Sequence, residues 1–102
     1  MSFEDRVKHV SNYVFLGSKI PDHMVHGLAG YLEDGIRPGH FLSYVIDGNL
    51  RGAIMNADSK NMMLLHVYAS YLYHHAPVIS WGYDGACDRW VSHIKEGKAN
   101  VH

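Results

Sequence analysis

IPDHMVHGLAGYLEDGIRPGHFLSYVIDGNL, residues 20–50, reads as a complete helix, a tight corner and a second, shorter helix. Pro21 suits a helix start, because the first turn has no use for its missing N–H. Met24, Val25, Leu28, Tyr31 and Leu32 then recur at helical spacing. They stop at Gly35, which can take the left-handed C′ conformation without a Cβ penalty. The Ile36-Arg37-Pro38-Gly39 turn redirects the chain into Phe41-Leu42-Ser43-Tyr44-Val45-Ile46, which ends at Asp47-Gly48-Asn49.

The flanks extend the same pattern. Ser2 followed by Asp5 resembles a capping box, and Phe3, Val7, Val10 and Val14 predict a first helix of about three turns running to Gly17. Val10, Tyr13, Val14 and Phe15 also carry strand propensity. Leu50, Ala53, Ile54 and Ala57 form a short amphipathic segment after Asn49, in which Gly52 weakens the helix by about 1 kcal/mol relative to alanine. Asp58 or Ser59 can cap the longest run, where Met62, Met63, Leu65, Tyr68, Ala69, Leu72 and Tyr73 share a face until Pro77. Val78 to Tyr83 is apolar but bracketed by breakers. Asp84 can cap a last helix with Cys87, Trp90, Val91 and Ile94 on one face and Gly97 at its end. The expected fold is all-α, a single domain over 1–102 of five or six helices, with its core in 3–96 and a frayed tail from 97.

Composition narrows the function. A chain of 102 residues, 47% hydrophobic and 19% charged, supports one modest core and argues against disorder. A net charge of −1 leaves no field to hold long nucleic acid, nor an acidic surface to imitate it. The single Cys87 cannot form an intramolecular disulfide, which fits a reducing compartment. No run approaches the roughly 18 apolar residues of a membrane span, and Met1 to Asp5 lacks signal-peptide character. The cytoplasm is the expected location, and no membrane partner is expected.

Catalytic chemistry has no frame to rest on. Nine histidines invite a metal hypothesis, with His23 and His26 the best pair, but no third and fourth ligand stand at metal-site spacing. His74-His75 falls at the end of the long helix, where the dipole favours positive charge. Cys87 lies on an apolar stripe and reads as a small core residue. Gly27 and Gly30 are spaced for close helix packing. No catalytic residue, metal or cofactor is expected. The aromatics are more suggestive: Tyr68, Tyr71, Tyr73, Tyr83, Trp81 and Trp90 cannot all fit so small a core, so some must face a partner.

The pattern Ile20-Pro21-x-His23-Met24, Tyr31-Leu32-Glu33-Asp34-Gly35-Ile36-x-Pro38-Gly39-x-Phe41-Leu42, Asn49-Leu50, Ala57-Asp58-x-x-Asn61, Tyr71-Leu72-Tyr73, Ala76-Pro77 and Trp81-Gly82 resembles a family of small phage- and prophage-encoded accessory proteins. It covers about residues 20 to 95. The family pattern has Cys before the Trp and Ser-Pro after the Gly, where this chain has Ser80 and Tyr83-Asp84, so a thiol role in this loop does not carry over. The resemblance implies a viral accessory protein acting in the host cytoplasm, with counter-defence as the expected role. That role is sequestration of a nucleotide immune signal, or else direct inhibition of a host defence protein. Arg37, His40, Tyr44, Arg51, Asn61 and Trp81 are the residues that can supply base platforms and phosphate donors. Arg37 beside Gly39, expected to offer a positive φ or an unshielded N–H, would clamp an anion at the start of the next helix.

An excess of aromatics over core capacity predicts a homo-oligomer. Light scattering at micromolar concentration should give at least the mass of a dimer; a monomer mass across that range would refute it.

Overall fold

Pro21 and Gly35 bound the helix on which the other elements rest. The computed structural model describes residues 1–99 and is all-α. Its order is α1 (Phe3–Asn12), a hairpin of β1 (Val14–Phe15) and β2 (Ser18–Lys19), α2 (Asp22–Asp34), α3 (His40–Ile46), α4 (Leu50–Asn56), α5 (Ser59–Met63), α6 (Leu65–His75), a 3₁₀ turn (Val78–Ser80) and α7 (Ala86–Ala99). The radius of gyration, 13.1 Å, is close to the roughly 13 Å of a compact chain this long. Among the described residues no helix is long and apolar enough to cross a membrane.

α2 closes as its sequence predicts. Gly35 has φ 64°, its N–H bonds to the Tyr31 carbonyl at 3.1 Å, and the Ile36 N–H reaches back to Gly30 at 3.3 Å. The bond from Gly35 to Tyr31 is the 5→1 closure of an αL helix ending. A Cβ on Gly35 would stand 2.7 Å from Cβ of Ile94, so the glycine also lets α7 press on the end of α2. Val25, Leu28, Tyr31 and Leu32 of α2 meet Phe41, Leu42 and Ile46 of α3, Tyr68 and Leu72 of α6, and Trp90 and Val91 of α7 in the core.

Two local caps form as expected, Ser2 on the Asp5 N–H and Asp58 on the Asn61 N–H, and Asn49 adds a third by accepting from the Gly52 N–H. Four expectations are corrected. α1 ends at Asn12 rather than near Gly17, because Tyr13 turns extended to bond Ser70 and Val14-Phe15 pairs with Ser18-Lys19. The long run splits at Leu64 (φ −110°, ψ 10°), which brings the α-helices to seven among the described residues. Its buried face is Val67, Tyr68, Tyr71 and Leu72, while Met63 and Tyr73 face solvent. The first turn of α7 is capped not by nearby Asp84 but by Asp47 of the α3 end, whose Oδ1 accepts the Cys87 N–H at 2.8 Å. Finally, α7 runs through Gly97 to Ala99; the rest of the expected frayed tail, 100–102, lies outside the described residues.

The hairpin turn contains the one described non-glycine residue with positive φ. Leu16 (φ 53°) and Gly17 (φ 79°) form the two-residue loop, with the signs of a type I′ turn. The left-handed region costs a leucine roughly 1–2 kcal/mol, and Leu16 is exposed, so its side chain recovers little. Leu16→Asn should therefore raise stability by about 1 kcal/mol, read as a Tm increase of roughly 4–8 °C. An unchanged or lower Tm would show that the turn is not strained.

Candidate functional site

α3, α4, α6 and the 3₁₀ turn enclose two apolar hollows that share one wall, the half-buried Trp81. The first, about 200 Å³, is lined by Tyr44, Val45, Leu50, Ala53, Leu65 and Ala69 along with Gly48. The second, about 380 Å³, is lined by Tyr73, Ala76, Val78 and Gly82. None of the residues lining either hollow is charged. α6 supplies Leu65 and Ala69 to one and Tyr73 to the other, with Ala76 just past its end. These positions repeat about once per turn, so they form a trough along the outer side of α6, roughly 16 Å long at 1.5 Å per residue.

Backbone constraints set the walls. The Gly82 N–H donates to the Ile46 carbonyl at 2.7 Å, tying the loop after Trp81 to the end of α3. Gly82 itself has φ 90°, a conformation glycine takes without strain. Beneath the loop, the Tyr31 hydroxyl donates to the Ser80 carbonyl at 2.6 Å, and the Ser80 hydroxyl to Pro77 at 2.6 Å. Gly52 is more than a weak point in α4. A Cβ there would lie within 3.0 Å of the Tyr44 ring, so the ring that walls the first hollow sits on bare backbone.

The six residues singled out from sequence do not gather at one point. Tyr44 and Trp81 do share the first hollow. Asn61 is buried, its Oδ1 accepting the Tyr68 hydroxyl proton at 2.7 Å. Arg37 is exposed and pairs with Asp88 of α7 at 2.5 Å. His40 and Arg51 stand exposed on α3 and α4. Gly39 has φ −64° and so does not adopt the positive φ considered for it. Sequence reasoning missed Leu50, Leu65, Ala69 and Val78 as site residues. The Leu65-Ala69-Tyr73-Ala76 repeat was the available signal, hidden by assigning that face to the core.

The remaining candidates have structural surroundings. Cys87 is buried, with Arg37 Nη1 3.8 Å and Ser43 Oγ 3.9 Å from its sulfur. Burial pushes its thiol above the ordinary range, the reverse of an activated nucleophile. Among the described residues no three His, Cys, Asp or Glu side chains converge as metal ligands. His75 reverses the helix-end expectation: partial desolvation first, then the proximity of His9, His74 and the Arg6 guanidinium, lowers its proton affinity. No protein family, curated protein or solved structure matches this chain.

Gly52→Ala measures the Tyr44 wall. Helix propensity alone would gain about 1 kcal/mol, whereas displacing a packed ring costs about 1–3 kcal/mol. The variant should melt several degrees below the parent; a higher Tm would show that Tyr44 moves aside freely.

Proposed function

We propose that this chain is a non-enzymatic binding protein that seats an apolar helical segment of another protein in the trough along α6. The observation that supports this most is the lining: two hollows sharing Trp81, aromatic and aliphatic throughout and without charge. An amphipathic helix presents side chains at i, i+4 and i+7, a spacing that fits a trough of about three turns. Exposed Met55 and Met63 on α4 and α5 add adaptable apolar surface to the same part of the chain. The resemblance to phage accessory proteins supports a host defence protein as the partner, bound and blocked rather than chemically altered. When that partner is missing, the same apolar residues would bring copies of the chain together.

A nucleotide immune signal is the second reading. It is favoured by Tyr44 and Trp81 lining one hollow, where a base can stack, with exposed Arg51 next to Leu50 in sequence. It is weakened by Arg37 being engaged with Asp88 and Asn61 with Tyr68.

Ala69 is exposed on α6 and central in the trough, so Ala69→Arg should leave Tm within about 2 °C. Its effect on affinity for a protein captured from host lysate should be a loss of at least a hundredfold, about 2.7 kcal/mol. Arg51→Ala should change that affinity by less than threefold. Retained affinity in Ala69→Arg would overturn the proposal. Binding of a cyclic or ADP-ribose nucleotide in native mass spectrometry, abolished by Arg51→Ala, would instead establish the second reading.

A further inference from the structure

On the side of α6 opposite the trough, α1 is joined to its last turn through a polar cluster in which Arg6 and Tyr71 are buried, His9 is half-buried and His75 lies exposed at the rim. Arg6 is 7% exposed, and its Nη1 donates to the Tyr71 hydroxyl at 3.1 Å and to the His75 carbonyl at 3.0 Å. His9 Nδ1 lies 2.9 Å from the same hydroxyl. The His9 and His75 rings meet edge to face with centroids 4.6 Å apart, and Tyr13 packs on both Tyr71 and His75. We propose that this seam is a proton-operated latch: protonation of His9 and His75 parts α1 from α6 and loosens the last turn of α6, which carries one end of the trough.

Hydrogen-bond polarity fixes the starting state. Arginine only donates, so the Tyr71 oxygen accepts from Arg6 and its single proton has His9 Nδ1 as its acceptor. That requires a neutral His9 protonated on Nε2. A proton on Nδ1 converts this acceptor to a donor and leaves the fully buried Tyr71 hydroxyl with nothing to donate to. It also adds a cation where positive charge already collects. The groups facing the seam are Arg6 and His9 from α1, the Tyr13 hydroxyl, Tyr71, His74 and His75 from α6, and Glu33 from α2. Glu33 Oε1 is 3.5 Å from Arg6 Nε without a hydrogen bond, and equally 3.5 Å from the Met1 amino group, so its charge is already opposed.

The sign follows from the same environment. Partial desolvation against the seam, then the neighbouring His9, His74 and Arg6, lower the proton affinity of the largely exposed His75 below its ordinary value of 6.5. The opened seam therefore binds more protons. The contribution of His75 to closure is fully present above pH 6.5 and is lost as pH falls through 6.5 toward the lowered folded value. α1 also packs along α2, so the element set free is the α6 end, with Tyr73 and Ala76 in the trough and Trp81 five residues beyond.

The consequence for the trough rests on the docking reading above, but the opening of the seam does not, and it is measured without any trough ligand. Amide hydrogen exchange by NMR, corrected for intrinsic rates, would compare Leu72 to Ala76 with the middle of α2 at pH 7.5 and 5.5. Protection at the α6 end should fall at least tenfold relative to α2. In the double variant His9→Gln, His75→Gln the fall should shrink below twofold, while His74→Gln should retain it. Equal protection at both pH values in the parent, or an undiminished fall in the double variant, would overturn the latch. If the double variant does not fold, the parent decides: the imidazole titrations of His9 or His75 and the α6-end amide shifts must share a midpoint, and midpoints differing by more than about 0.5 pH would reject it.

Discussion

Tyr31 holds three elements with two groups. Its ring is fully buried, its hydroxyl donates to the Ser80 carbonyl at 2.6 Å, and its own carbonyl accepts from Trp90 Nε1 at 2.9 Å. α2, the 3₁₀ turn and α7 are thereby fixed to one residue near the centre of the chain. Burial raises the phenol far above its ordinary range, so it remains a donor at any pH the protein meets. Removing that hydroxyl would leave the Ser80 carbonyl without its donor in a closed interior, a penalty of about 1–3 kcal/mol. Because Ser80 directly precedes Trp81, the position of the shared trough wall depends on this buried bond. The fold and the candidate site thus have a common support.

The interior tyrosines follow one rule: each hydroxyl is matched to a partner from another element. Tyr68 finds Asn61, Tyr71 finds Arg6 and His9, and Tyr13 finds Ser70. In so small a chain, tyrosines supply apolar volume that shorter aliphatic residues could not, and their hydroxyls then specify which helices meet. Asp47 does comparable work for the backbone, ending α3 while accepting the Cys87 N–H at the start of α7. A carboxylate at that position also favours the helix dipole of α7.

What the sequence made legible is what short-range physics decides. Gly35, Asp58 and Ser2 act within four residues of their own helix ends, so residue type and spacing suffice to place them. The buried faces of α2 and α7 were legible because each carries a single apolar stripe. α6 was not, because it has two: Val67-Tyr68-Tyr71-Leu72 toward the core and Leu65-Ala69-Tyr73 outward. Periodicity cannot say which of two apolar stripes is covered. The end of α1, the cap of α7 and the Arg6–Tyr71 bond depend on partners 40 to 65 residues away, and nothing local announces them. Of the residues proposed for binding, Tyr44 and Trp81 came together for the same non-local reason that Arg37 and Asn61 found other partners.

The lone sulfur has a use that its burial creates. Cys87 is 1% exposed, lies in the first turn of α7 beneath Ser43 and Arg37, and its own N–H is held by Asp47. A thiol-reactive reagent can reach it only when that turn separates from the end of α3, so the labelling rate of native protein counts those separations directly. With a single cysteine in the chain, no second site contributes to the signal. The molecule carries its own gauge of how often α3 and α7 part, at the junction where Asp47 holds the first turn of α7.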